Sequence, residues 1–255
     1  MSTRLPVVAL HGFTGSGSDF DLLRAMRTRF AWHTPDLPGH GAALGTDAGF
    51  SLPAIAQGIA ARLERLPRPR LLLGYSMGGR IALHTAVQHP GCADGLVLIG
   101  ASPGIADARA RAERADLDRA RAARVRELGA ARFGAEWARV PLIATQDTIA
   151  EPFRSAMRAR RAAADGEGWA RSLELTGTGT MEPLHDRLDG LRIPVMLIVG
   201  ETDSKFRAIA EEMAIRLPRG CVGIIEGAGH AAHLEQPARF AAVLDDWADD
   251  VMGDR

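Results

Sequence analysis

The sequence predicts an α/β fold, a mostly parallel sheet of about six strands interrupted by an inserted helical segment. Three observations predict it. Short apolar runs alternate with helix-period patterns in the N-terminal part and again near the C-terminus. The stretch between them has no strand pattern and is rich in Ala, Arg and Glu. A Gly-x-Ser-x-Gly run sits where one apolar run passes into a helical pattern. The expected division is a core of residues 1–102 and 190–255, with an insertion of residues 103–189.

Residues 6–10 form the first expected strand, followed by a glycine-rich turn. Residues 19–30 carry apolar positions at helical spacing, and 31–36 form a second short strand ended by Pro35 and the Leu37-Pro38-Gly39 turn. Residues 52–66 are helical, with Ser51 as N-cap before Pro53. Residues 71–75 form a buried strand, 77–88 a helix and 96–99 another buried strand. Within the insertion, 107–133 predicts one or two amphipathic helices. Alternation resumes with a strand at 193–199, a helix at 206–217, a strand at 222–225 and a last helix over 233–251.

Composition excludes several function classes. With 46% hydrophobic and 24% charged residues, the chain of 255 residues can bury a sizeable core, so disorder is not its main state. Its 31 basic and 31 acidic residues balance, leaving no footprint for nucleic acid or an anionic membrane surface. No apolar run is long enough to span a bilayer. The run from Val7 to Leu10 is shorter than a signal-peptide core. Cys92 and Cys221 are too few for a disulfide framework, which suits a reducing, cytoplasmic compartment.

The run Gly74-Tyr75-Ser76-Met77-Gly78 carries the chemistry. A strand that ends abruptly in a helix forces its middle residue into a tight turn with the side chain exposed, and the flanking glycines let the turn close. Ser76 Oγ then stands above a helix N-terminus, which favours negative charge. The Met77 N–H becomes one donor of an oxyanion hole. The second comes from His11-Gly12-Phe13-Thr14-Gly15 after the first strand, with Phe13 N–H the candidate.

A serine nucleophile needs a base, and the base needs an orienting acid. Asp203 and His230 each lie just past a predicted strand, on the same sheet edge as Ser76, where ligands bind in parallel sheets. The rival acid is Glu201, and the rival histidines are His233, His40 and His84. His33, His89 and His185 show no grouping for a metal, and no zinc-ligand spacing occurs.

These residues resemble the α/β-hydrolase superfamily across essentially the whole chain. There, a helical insertion in this position forms a lid over the active site. Finer runs resemble one subfamily: Leu-His-Gly-Phe-Thr-Gly-Ser-Gly (10–17), Gly-Tyr-Ser-Met-Gly-Gly-Arg-Ile-Ala-Leu (74–83), Ala-Ser-Pro-Gly-Ile (101–105), Thr-Gly-Thr-Gly (176–179) and Gly-Glu-Thr-Asp-Ser-Lys-Phe (200–206). That subfamily is the 2-succinyl-6-hydroxy-2,4-cyclohexadiene-1-carboxylate synthases of menaquinone biosynthesis. The resemblance implies a lyase that removes a ring proton from a polycarboxylate small molecule and eliminates pyruvate, with no metal or organic cofactor. Departures are Thr180-Met181, where the subfamily commonly has Lys-Gln, and His185, where it often has tryptophan.

Arg80 follows Ser76 by four residues, hence on the same helix face, and suits a carboxylate on the reacting ring. The resemblance further implies Arg114 (alternatively Arg111) and Arg161 (alternatively Arg160) as carboxylate partners, and Trp137 as an aromatic of the lid, with core packing its alternative; Tyr75 either flanks the ring or packs beside the Ser76 elbow. Fifteen arginines lie between Ser102 and Asp189, so a solvated helix face is the better reading for any one of them taken alone. Lys205 stands out as the sole lysine of the chain. Two other readings of the same residues are a hydrolase, either a carboxylesterase or a carbon–carbon bond hydrolase, and a non-catalytic ligand-binding protein of the same fold.

Overall fold

The computed structural model describes residues 4–26, 29–43 and 47–252. Six strands form one sheet: β1 (Leu5–Leu10), β2 (Phe30–His33), β3 (Leu71–Tyr75), β4 (Gly95–Ile99), β5 (Val195–Gly200) and β6 (Gly220–Ile225). Their order is β2-β1-β3-β4-β5-β6, and every neighbouring pair is parallel. The expected six-stranded α/β sheet is present, and it is parallel throughout.

Successive strand side chains point to opposite faces, so each strand feeds two cores. Val8, Leu10, Leu72, Leu96 and Leu98 pack on one face. There they meet Ile55, Ile59 and Leu63 of α2 (Leu52–Glu64), Ile81 of α3 (Met77–Gln88) and Met213 of α8 (Ser204–Arg216). Val7, Ala9, Leu71, Leu73, Val97 and Ile99 pack on the other face. Their partners include Leu23 of α1 (Asp21–Ala25) and Phe240, Leu244 and Trp247 of α10 (Pro237–Met252). Strands buried on both faces lose the polar alternation of a half-exposed strand, which explains the continuous apolar runs.

Local signals set several boundaries. Ser51 Oγ accepts the Ala54 N–H at 3.3 Å, the cap expected for α2. Two expectations are corrected. Residues 19–30 are not one helix: a 3₁₀ turn (Gly17–Phe20) and α1 fill the start, and β2 already begins at Phe30. The C-terminal helix is split into α9 (Ala232–Glu235) and α10, with Pro237 opening the second piece, as suits a residue without an N–H.

Between β4 and β5, the described structure is helical: α4 (Ala108–Trp137), α5 (Pro141–Ala144), α6 (Phe153–Ala162), α7 (Gly166–Thr176) and two 3₁₀ turns. Asp107 caps α4 by accepting the Ala110 N–H at 2.7 Å. Gly129, at φ 72° and ψ 164°, breaks α4 into two helical pieces. These helices own a separate small core, in which Val125, Phe133, Trp169 and Leu173 pack together. Arg126 ties α4 to α7 through Glu167 at 2.8 Å and Glu174 at 2.6 Å. Among the described residues, no helix is long and apolar enough to cross a membrane.

Candidate active site

The turn from β3 into α3 holds Ser76 at φ 51° and ψ −106°, a conformation that L-residues adopt only under strain. Its N–H donates to the Ile99 carbonyl at 2.8 Å, which anchors the strained residue to β4. A Cβ on Gly74 would lie 2.3 Å from the Gly78 carbonyl oxygen, and one on Gly78 would lie 2.2 Å from that of Leu10. Both glycines are therefore dictated by backbone approach.

Ser76 is the N-cap of α3, but its hydroxyl caps nothing. It faces His230 instead. His230 Nε2 lies 3.1 Å from Ser76 Oγ, and Nδ1 lies 2.7 Å from Asp203 Oδ2. With Nδ1–H donating to the carboxylate, Nε2 is left to accept the serine proton. Asp203 is doubly used: its Oδ1 also accepts the Phe206 N–H at 3.3 Å, capping α8. The His230 ring packs against Phe206 at 4.6 Å and Tyr75 at 5.3 Å between centroids. Gly100, at φ 52° just past β4, completes the seat, because a Cβ there would lie 2.8 Å from His230 Cε1.

Among the described residues, the backbone N–H groups of Phe13 and Met77 meet no protein acceptor. Met77 is the first residue of α3, whose dipole adds positive potential beside Ser76 Oγ.

Above Ser76 lies a cavity of about 210 Å³, whose lining includes Ser76, His230, Arg80, Arg114, Arg121 and Lys205. Arg80 Nη1 donates to the Thr176 carbonyl at 3.0 Å. Desolvation first, and then the nearby Arg114, push the Arg80 guanidinium down to about 10, so it stays cationic at neutral pH. Arg114 Nε and Arg121 Nη1 converge on Asp118 Oδ1 at 2.9 and 3.3 Å. Asp118 is buried, and among the described residues its second oxygen has no hydrogen-bond partner. Arg121 also stands over the Trp137 ring at 5.6 Å, and Trp137 meets Phe13 edge-on at 5.3 Å. The lining thus joins a hydrogen-bonded Ser–His–Asp line to four cations and one carboxylate, with Phe13 and Trp137 as apolar walls.

Of the sequence-predicted residues, Ser76, His230, Phe13, Met77, Arg80, Arg114 and Trp137 line this cavity, and Asp203 backs His230. Tyr75 and Arg161 are not among the residues that line it. Tyr75 is a buried β3 residue whose ring contacts His230 and His233, and its hydroxyl accepts from Gln146 Nε2 at 3.3 Å. Burial raises its phenol well above the usual range. Arg161 is buried behind the same glutamine, donating to Gln146 Oε1 at 2.8 Å. Its alternative, Arg160, pairs with Asp19 at 3.1 Å, and Arg111 caps the carbonyls of Ile105 and Ala106.

The rivals resolve into structural roles. Glu201 accepts the Gly227 N–H at 2.9 Å. His40 packs on His11 at 5.1 Å and is pushed down to about 3, by burial first and then by that neighbour. Burial also pushes His233 down to about 3. Sequence reasoning missed Arg121, Asp118 and Gly100. The signal for Arg121 and Asp118 was present, since positions 114, 118 and 121 share one face of a helix.

Residues 7–243 match the model of the alpha/beta hydrolase family. The putative 2-succinyl-6-hydroxy-2,4-cyclohexadiene-1-carboxylate synthase of Bacillus subtilis (strain 168) is 35% identical over 247 residues, 94% of this chain and 89% of the relative. The 2-succinyl-6-hydroxy-2,4-cyclohexadiene-1-carboxylate synthase of Salmonella agona (strain SL483) is 35% identical over 242 residues, 91% of this chain and 89% of its own. The structure of MenH from S. aureus superposes with a TM-score of 0.93 at 29% identity, covering 99% of this chain and 96% of that one. An esterase from Exiguobacterium antarcticum shares the fold with a TM-score of 0.78 at 20% identity, covering 98% and 93%. The chain belongs to the alpha/beta hydrolase family, on the branch that carries the 2-succinyl-6-hydroxy-2,4-cyclohexadiene-1-carboxylate synthases.

Proposed function

We propose that this protein is a carbon–oxygen lyase. It eliminates pyruvate from 2-succinyl-5-enolpyruvyl-6-hydroxy-3-cyclohexene-1-carboxylate to give 2-succinyl-6-hydroxy-2,4-cyclohexadiene-1-carboxylate. The observation that carries the reading is the gathering of Arg80, Arg114, Arg121 and Lys205 in the cavity that holds Ser76 and His230. A substrate with several carboxylates needs such cations, whereas a neutral ester does not. The names of the relatives in Bacillus subtilis and Salmonella agona support the same reaction.

The ring names dictate the electron flow. A 3-ene becomes a 2,4-diene as the 5-substituent leaves, so a proton departs from C2 and the double bond shifts. Asp203 holds the His230 imidazole, Nε2 takes the Ser76 proton, and Ser76 Oγ removes the C2 proton. The C–H electrons form the C2–C3 bond, the old C3–C4 pair moves to C4–C5, and the C5–O bond breaks. Enolpyruvate leaves on its oxygen and takes up a proton to become pyruvate. Negative charge that develops on the succinyl carbonyl oxygen is met by the Phe13 and Met77 N–H groups, which among the described residues have no protein acceptor to release.

In this proposal the helices of residues 103–189 serve as a lid, closing Trp137, Arg114 and Arg121 over the ring. The compartment is the cytoplasm, a reading that the free Cys92 and Cys221 support. The decisive experiment is incubation with the enolpyruvyl substrate while pyruvate is followed. Release by the wild type, lost in Ser76→Ala, is the expected result. No pyruvate from the wild type, with a burst on short p-nitrophenyl esters, would assign it to the hydrolases instead.

A further inference from the structure

Glu235, at the end of α9, is buried at 7% exposure. Among the described residues its carboxylate has three partners, and all are neutral donors. Oε2 accepts the Gly229 N–H at 2.6 Å. Oε1 accepts the Ala231 N–H at 3.0 Å and the Thr145 hydroxyl at 2.8 Å. Gly229 and Ala231 flank His230, and Thr145 belongs to the inserted helical segment.

The chemistry of the set is specific. An ionised carboxylate only accepts, and here each donor aims at it. A buried carboxylate without a cationic partner is costly to desolvate, so its place calls for a reason beyond packing. Thr145 is also in direct contact with the histidine loop, since a Cβ on Gly229 would lie 2.6 Å from Thr145 Cβ. The carboxylate therefore clamps the backbone on both sides of the imidazole and fastens it to a residue of the insertion.

We infer that Glu235 is a positioning residue: it sets the His230 imidazole between Ser76 and Asp203, and through Thr145 it ties that setting to the inserted helices. The inference rests on the reading of His230 as the base acting through Ser76. A base shifted by about 1 Å loses on the order of a hundredfold in rate, so a clamp of this kind governs turnover and not substrate affinity.

The test uses two readouts on the intact protein. One is pyruvate release from the enolpyruvyl substrate, and the other is the rate at which a fluorophosphonate labels Ser76. Glu235→Gln keeps the shape but sets an amide against backbone donors. It lowers kcat about 10-fold with KM within about twofold, and slows labelling in parallel. Thr145→Val, a milder change that does not depend on the fate of the carboxylate variant, lowers both about threefold. Thr145→Ser, which keeps the hydroxyl, restores them. Folded Glu235→Gln and Thr145→Val proteins that label and turn over within about twofold of wild type would overturn the inference, as would a change confined to KM. If the wild type releases no pyruvate, the lyase reading fails, and the labelling rates still decide the role of Glu235.

Discussion

Arg80 Nη1 lies 3.0 Å from the carbonyl oxygen of Thr176, so a guanidinium one helical turn from Ser76 is fastened to the last helix of the insertion. That contact spans 96 residues and fixes a cation at the cavity wall. Arg80→Ala is expected to lower kcat/KM for the enolpyruvyl substrate by about 100-fold, the loss of a charged hydrogen bond to substrate. Arg80→Lys keeps the charge without the planar fork and loses about 10-fold. A neutral aryl ester tested beside it should change within about threefold. Equal loss on both substrates would show that Arg80 acts by holding the helices.

Strain at Ser76 sets function against stability. At φ 51° and ψ −106°, glycine is the unstrained residue. Ser76→Gly is expected to raise stability by about 1 kcal/mol, after the entropy cost of the glycine, and to abolish activity. Urea unfolding beside the pyruvate assay tests both halves. A destabilised Ser76→Gly protein would mean that the turn is not strained.

Gly100 offers the reverse case. Its φ of 52° and the 2.8 Å approach of a hypothetical Cβ to His230 Cε1 leave no room for a side chain. Gly100→Ala is expected to displace the imidazole and cut kcat by about 100-fold, with a stability loss of about 1–2 kcal/mol. Fluorophosphonate labelling of Ser76 should slow in step. Undiminished labelling would show that the histidine seat yields freely.

Buried neutral histidines make stability depend on pH. His40 and His233 are each pushed down to about 3, mainly by burial. Between pH 6.5 and about 3 the unfolded chain holds protons on both that the folded chain does not. Stability therefore falls as the pH drops through that window, and this contribution is fully present above pH 6.5. Each histidine adds a slope of up to about 1.4 kcal/mol per pH unit. Urea melts at pH 7 and pH 5.5 on wild type and His233→Phe measure it, and the variant should show the shallower loss. Identical slopes would mean that His233 is protonated in the folded protein.

The fold class, the Ser–His–Asp line and the turn that presents it are all legible in the order of the residues. These depend on short-range rules. A glycine pair closes the turn around Ser76, an apolar run becomes a buried parallel strand, and Asp203 and His230 follow strands whose ends share one edge. Arg80 was legible for the same reason, since four residues along a helix return to the same face. Which arginines of the insertion see the cavity depends on long-range packing. Arg111, Arg114, Arg121, Arg160 and Arg161 are chemically alike in sequence, and only the packing of α4, α6 and α7 on the core turns Arg114 and Arg121 inward. That packing places Arg161 behind Gln146, and it seats Glu235 under the histidine loop against Thr145, ninety positions earlier in the chain. A local pattern encodes which face of an element is apolar. It does not encode which polar groups on other elements that face will meet.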